Sequence, residues 1–88
     1  MKLKPLTSAQ IRAARALIRW SAEDLAREST LGITTIRRAE LTESETSMTT
    51  ANDLAVRRAL EAAGVVFIDE DGGLGPGVRL RKLQRKSA

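Results

Sequence analysis

The sequence predicts a small, mainly helical domain: four α-helices followed by a C-terminal β-hairpin. Three observations predict it. Up to residue 63, apolar side chains recur at three- and four-residue steps, in segments that open on hydroxyl-bearing capping residues. After Gly64 the texture changes to Val65-Val66-Phe67-Ile68, then a glycine-rich turn, then the alternating Val78-Arg79-Leu80-Arg81. The length, 88 residues, suits one compact domain rather than two.

Each element has a local cause. Thr7-Ser8-Ala9-Gln10 fits a capping box, so helix 1 opens there and is expected to run to about residue 20. Ile11, Ala14, Leu17 and Ile18 form its expected buried stripe, while Arg12, Arg15 and Arg19 lie nearly in a row. Ser21-Ala22-Glu23-Asp24 opens helix 2, with Ser21 as cap and two carboxylates where the helix dipole favours negative charge. That helix is expected to end near residue 29. Helix 3 follows Gly32 over residues 33–41, with Ile36 and Ala39 or Glu40 inward and Ile33, Thr34, Arg37 and Arg38 outward.

Residues 42–50 are polar and read as a loop. Thr50 then caps helix 4, which carries Leu54, Val56, Leu60 and Ala63 and ends at a left-handed Gly64. A lone two-stranded hairpin is weakly stable in water. The hairpin is therefore expected to pack on helix 4, or to add strands to the same hairpin of a second chain in an isologous dimer. Val65, Val66, Phe67, Ile68, Val78 and Leu80 are its candidate dimer contacts, and the seam lies open between helix 4 and the hairpin. The domain plan is residues 1–64 for the helical body, 65–83 for the hairpin, and 84–88 for a flexible basic tail.

Composition excludes much chemistry. The chain has no cysteine, histidine or tyrosine, which removes disulfides, thiolate metal sites and the commonest general base. No enzyme activity, metal or cofactor is expected. The basic start lacks a following apolar segment, so it does not read as a secretion signal. The aliphatic run Val65–Ile68 is far too short to span a bilayer. A cytoplasmic, nucleoid-associated protein is expected. The net charge of +4 is uneven: residues 72–88 hold five cations and no acid, whereas residues 1–71 hold ten basic and eleven acidic side chains. Total charge alone does not argue for nucleic acid; a local positive face would.

The most informative stretch is Ser21 to Leu41, SAEDLARESTLGITTIRRAEL. It reads as two short helices joined by a tight turn, the second studded with Thr34, Thr35, Arg37 and Arg38. In a small basic protein that pattern points to a helix-turn-helix laying its second helix in the major groove. Arg15, Trp20-Ser21, Glu23, Leu25-Ala26, Thr35-Ile36, Arg38 and Glu40 together resemble the Cro and phage-repressor superfamily of xenobiotic-response-element regulators. The resemblance covers about a third of the chain at motif level. It implies a lambda-repressor-like helix-turn-helix domain and a partly buried ion pair between Arg15 and Glu40.

Carried over by position, the resemblance places Ile33, Thr34 and Arg38 at base edges. Arg37 lies one position over in the same cluster, within reach of the backbone. It places Ser21, Ala22, Gly32 and Thr35 at phosphates. Arg38 can donate two parallel hydrogen bonds to guanine; Thr34 offers a hydroxyl and a methyl; Ile33 can only touch a thymine methyl. Some positions depart from the pattern. Thr30 stands where glycine is usual, so either it adopts a left-handed backbone or the turn is built around Gly32. Ala22 replaces a DNA-contacting glutamine, Gly32 lacks a hydroxyl, and Glu43 and Glu45 would oppose phosphate.

Two other motifs read as ordinary turn chemistry. Gly72-Gly73-Leu74-Gly75-Pro76-Gly77 lacks the lysine and hydroxyl of a phosphate loop, and Asp69-Glu70-Asp71 has too few ligands for calcium. Trp20, at the helix 1–helix 2 corner, is expected in the core. The expectation is a homodimeric repressor that occludes a promoter, its own included, at an inverted repeat in double-stranded DNA. Half-sites would lie about 34 Å apart. The alternatives are an antitoxin that binds a toxin and autoregulates, or an adaptor that has kept the fold to bind a protein such as a co-regulator.

Overall fold

A computed structural model describes residues 4–43 and 45–82. Helix α1, Ser8–Ile18, opens on the capping box: Gln10 N–H donates to Thr7 Oγ1 (3.1 Å) and Thr7 N–H donates to Gln10 Oε1 (2.9 Å). It stops two residues short of the expected end. Arg19 turns left-handed (φ 58°), and Trp20 N–H closes onto the Arg15 carbonyl at 2.9 Å. Ile11 and Ala14 are buried as expected, but Leu17 is 41% exposed. It sits at the edge of the stripe, about 120° round the helix from Ile11.

Helix α2 spans Ala22–Ser29, as its caps predict, and α3 spans Ile33–Ala39. Between them Thr30 takes the left-handed conformation (φ 57°, ψ 32°), and Leu31 N–H bonds the Ala26 carbonyl at 3.0 Å. The turn is therefore closed by a strained threonine; Gly32 is an extended N-cap (φ −70°). Thr30→Gly is expected to raise stability by about 0.5–1 kcal/mol, the left-handed penalty less glycine's added unfolded-state entropy. Urea unfolding measures it.

Helix α4, Thr50–Ala62, is capped by Thr49, one residue before the expected Thr50, through Asn52 N–H (3.1 Å). The shift has a tertiary cause. Asp53 turns inward, where its carboxylate accepts from Leu6 N–H at 3.1 Å. The buried face of α4 is Asp53, Val56, Arg57 and Leu60, so two of its four inward side chains are charged. Arg57 donates to the Lys4 carbonyl (3.0 Å) and lies over the Phe67 ring, 5.1 Å from its centroid.

Burial pushes the Asp53 carboxyl up, against the opposing pull of Leu6 N–H and Arg57. Stability drawn from its neutral form is present at low pH and lost as pH rises through the raised value. Asp53→Asn is expected to gain on the native chain as pH climbs from about 3 to 7, a trend that denaturant unfolding across that range reads directly.

Strands β1, Val65–Ile68, and β2, Gly77–Leu80, pair antiparallel with Val65 opposite Leu80 and Ile68 opposite Gly77. Asp71 and Leu74 bridge in the same register around Gly72 and Gly73, both at positive φ, as a primed two-residue turn demands. Between the Ile68–Gly77 pair and the Asp71–Leu74 bridge the ladder lapses, over a stretch that sets Pro76 opposite Asp69. Positive-φ Gly64 (104°) carries the chain from α4 into β1.

The hairpin packs on both α1 and α4. Gln10 pins it: besides capping α1, its Nε2 donates to the Gly77 carbonyl at 3.1 Å. Val65 is fully buried in its own chain's core, which corrects its assignment as a dimer contact, and Phe67 and Val78 are half-spent on that core too. Val66, Ile68 and Leu80 keep exposed surface. The expected basic tail, residues 84–88, and Leu83 at the hairpin's expected end lie outside the described residues. Among the described residues no helix is long and apolar enough to cross a membrane.

Candidate nucleic-acid interface

Helix α3 has two different faces. Ile36 and Ala39 are buried beneath it, packed in one core with Leu25, Ala26 and Val56. Thr34, Arg37 and Arg38 lie exposed on the other side. Ile33 does not join them. It is half-buried and packed on the core, because the first turn of α3 faces back toward the body. The expected outward Ile33 is thus corrected; a thymine methyl could meet only its remaining edge.

The far end of α3 is clamped to α1. Arg15 Nε and Nη2 donate to the two oxygens of Glu40 at 2.7 and 2.8 Å, and Nη1 donates to the Trp20 carbonyl at 2.9 Å. The side chains are 22% and 10% exposed, so the pair is largely desolvated. Glu40's hydrogen bonds hold the Arg15 guanidinium still more firmly protonated. Trp20, half-buried against the core, supplies the third acceptor through its main chain. A further bond ties α1 to this end: buried Ser8 Oγ lies against the Ala39 carbonyl and Thr42 Oγ1.

At the opposite edge, Ser21 caps α2 by accepting from Asp24 N–H (3.0 Å), and Asp24 accepts from Ser21 N–H (2.8 Å). Those bonds, with Ser21 N–H the largest influence and Arg27 next, hold the Asp24 carboxyl below its usual range. Ser21 is exposed and Ala22 half-buried at the amino end of α2. Gly32 is exposed, with open space where a Cβ would be, and Thr35 is half-buried.

The cations on α3 differ in their freedom. Arg37 pairs with Glu23 across the α2–α3 corner at 2.8 Å, both side chains about three-fifths exposed. The Arg38 side chain is exposed, and no ion pair or hydrogen bond holds it among the described residues, although its carbonyl accepts from Leu41 N–H at 3.2 Å. Two shallow depressions flank the helix. One is lined by Arg12, Arg15, Ala22, Arg37, Glu40 and Leu41. The other, toward the start of α4, is lined by Thr35, Arg38, Ser47, Met48, Thr49 and Asn52.

Sequence reasoning missed Arg12, Ser47, Thr49 and Asn52 as neighbours of this surface. Arg12 was visible in the row of arginines on helix 1; nothing local marked the other three. Glu45 is also placed differently from the expectation. Its main chain bridges to Thr7, and it shares a depression with Lys4, Arg57 and Glu70 near the hairpin rather than with Arg38.

Among the described residues no cluster of acidic side chains could hold a metal ion. No protein-family model and no curated protein sequence matches this chain.

Proposed function

We propose that this chain is a sequence-specific DNA-binding regulator of transcription, a homodimeric repressor of the Cro and phage-repressor type that occludes a promoter. One observation carries the reading: Thr34 and Arg38 are exposed side by side, one helical turn apart, on a short helix whose other face is buried and whose end is clamped by a bidentate ion pair. A base-reading helix needs that combination of reach and rigidity.

In this mechanism α3 enters the major groove. Arg38 donates to guanine O6 and N7, and Thr34 reads a neighbouring base edge. The amino end of α2, at Ser21 and Ala22, meets a phosphate, with Arg37 exchanging Glu23 for the backbone. Two copies on a near two-fold operator then cover a promoter and exclude polymerase. Nuclease footprinting on the DNA upstream of the chain's own gene tests the reading. A protected inverted repeat supports it; uniform protection, or none at any protein concentration, refutes it.

A further inference from the structure

Two adjacent arginines stand on the exposed face of α3, and helix geometry alone does not choose between them. At about 100° per residue, Arg38 lies about 40° to one side of Thr34 and Arg37 about 60° to the other. Both are exposed. Either guanidinium offers the paired donors that guanine O6 and N7 accept. A helix with both arginines free could therefore read guanine in two registers.

One carboxylate breaks this near-symmetry. Glu23, the second residue of α2, accepts from Arg37 Nη2 at 2.8 Å across the α2–α3 corner. That is the only bond of the Glu23 side chain among the described residues. The amino end of α2 is capped without it, because Ser21 and Asp24 satisfy each other's N–H groups. Asp24 itself is turned toward Arg27, at 2.8 Å. The Arg38 side has no counterpart. The depression there is lined by Thr35, Ser47, Thr49 and Asn52 and by no acid.

We infer that Glu23 is a positioning residue for recognition: it holds Arg37 on the α2 side of α3, so that Arg38 alone is presented to base edges. The inference rests on the proposed base reading by α3 and adds what confines that reading to one arginine.

Bond strength explains the division of labour. A guanidinium–carboxylate hydrogen bond is charge-assisted and about twice as strong as one to a neutral acceptor. A phosphate oxygen is also charged and can take the carboxylate's place. Guanine O6 and N7 are neutral and cannot match it. Arg37 is thus released to the DNA backbone and withheld from the bases. The exchange disturbs nothing else, since both side chains of the pair are about three-fifths exposed and such a pair adds little to the fold.

Binding isotherms of the full chain, on the duplex it selects and on that duplex with each base pair changed in turn, test the inference. Arg38→Ala first identifies the base pair that Arg38 reads. Glu23→Gln keeps the side chain's length and removes its charge, and its melting curve should match the native one. With Arg37 freed to substitute for Arg38, the penalty for changing that base pair should fall about threefold or more, and affinity for scrambled duplexes should rise by a similar factor. Glu23→Gln combined with Arg37→Ala should return the base preference to that of the native chain. A Glu23→Gln chain with the native base preference overturns the inference, and so does a relaxed preference that persists in the double variant. Either result, beside a native chain that discriminates, leaves the proposed function standing. A native chain that prefers no duplex overturns that function and this inference with it.

Discussion

Glu40→Ala is expected to destabilise the fold by about 3 kcal/mol, the low end of the cost of stranding a buried charge. The estimate stays at the low end because Arg15 keeps 22% of its side chain in solvent and a bond to the Trp20 carbonyl. Arg15→Ala should cost a similar amount, because it leaves the Glu40 carboxylate, 10% exposed, without its two donors. The double replacement Arg15→Met with Glu40→Leu removes both charges together and should lie within about 1 kcal/mol of the native chain. Chemical denaturation of all four proteins compares stranding one charge with removing both. If the single variants cost no more than the double, the pair is an exposed surface contact in solution. DNA binding adds a second reading: the apolar double variant should fold yet bind operator less well, because α3 loses its directional clamp to α1.

The second large effect falls on recognition. Arg38→Ala should leave stability unchanged within about 0.5 kcal/mol, since the side chain is exposed and makes no bond among the described residues. It should nevertheless cost roughly 1–3 kcal/mol in discrimination between operator and a sequence changed at one base pair, about 5- to 150-fold. Arg37→Ala is the contrast. Its exposed pair with Glu23 contributes little to the fold. Its loss should weaken binding to all duplexes alike and flatten the salt dependence, as a phosphate contact does. Binding isotherms at several salt concentrations, on operator and on scrambled DNA, separate the two arginines.

What was legible in the chain was what neighbours along it decide. Helix α2 could be read end to end because Ser21, Glu23 and Asp24 satisfy its amino end within four residues, and the strands followed from β-branched runs around glycine. The Arg15–Glu40 bond was implied only through the family resemblance; spacing alone gives two solvated charges. What escaped depends on distant partners. Gln10 looks like a capping residue and nothing more, yet its amide also holds a strand 67 residues away. Asp53 and Arg57 look like a solvated helix face, but Leu6 and Lys4 offer main-chain groups that need them. Leu17 and Ile33 were misjudged for a related reason. A periodic stripe shows that a helix is amphipathic, and only the packed neighbours decide where its edges fall. At Thr30 the residues allowed two turns, and the choice of the strained one belongs to the packing of α2 on α3.

In vitro selection from random duplexes, run in parallel with the native chain and with Arg38→Ala, tests base reading by α3 most directly. The native protein should enrich an inverted repeat with half-sites about one helical turn apart. The variant should enrich the same repeat with one position in each half-site relaxed. Enrichment of the same site by both proteins, or of no site by the native chain, would contradict it.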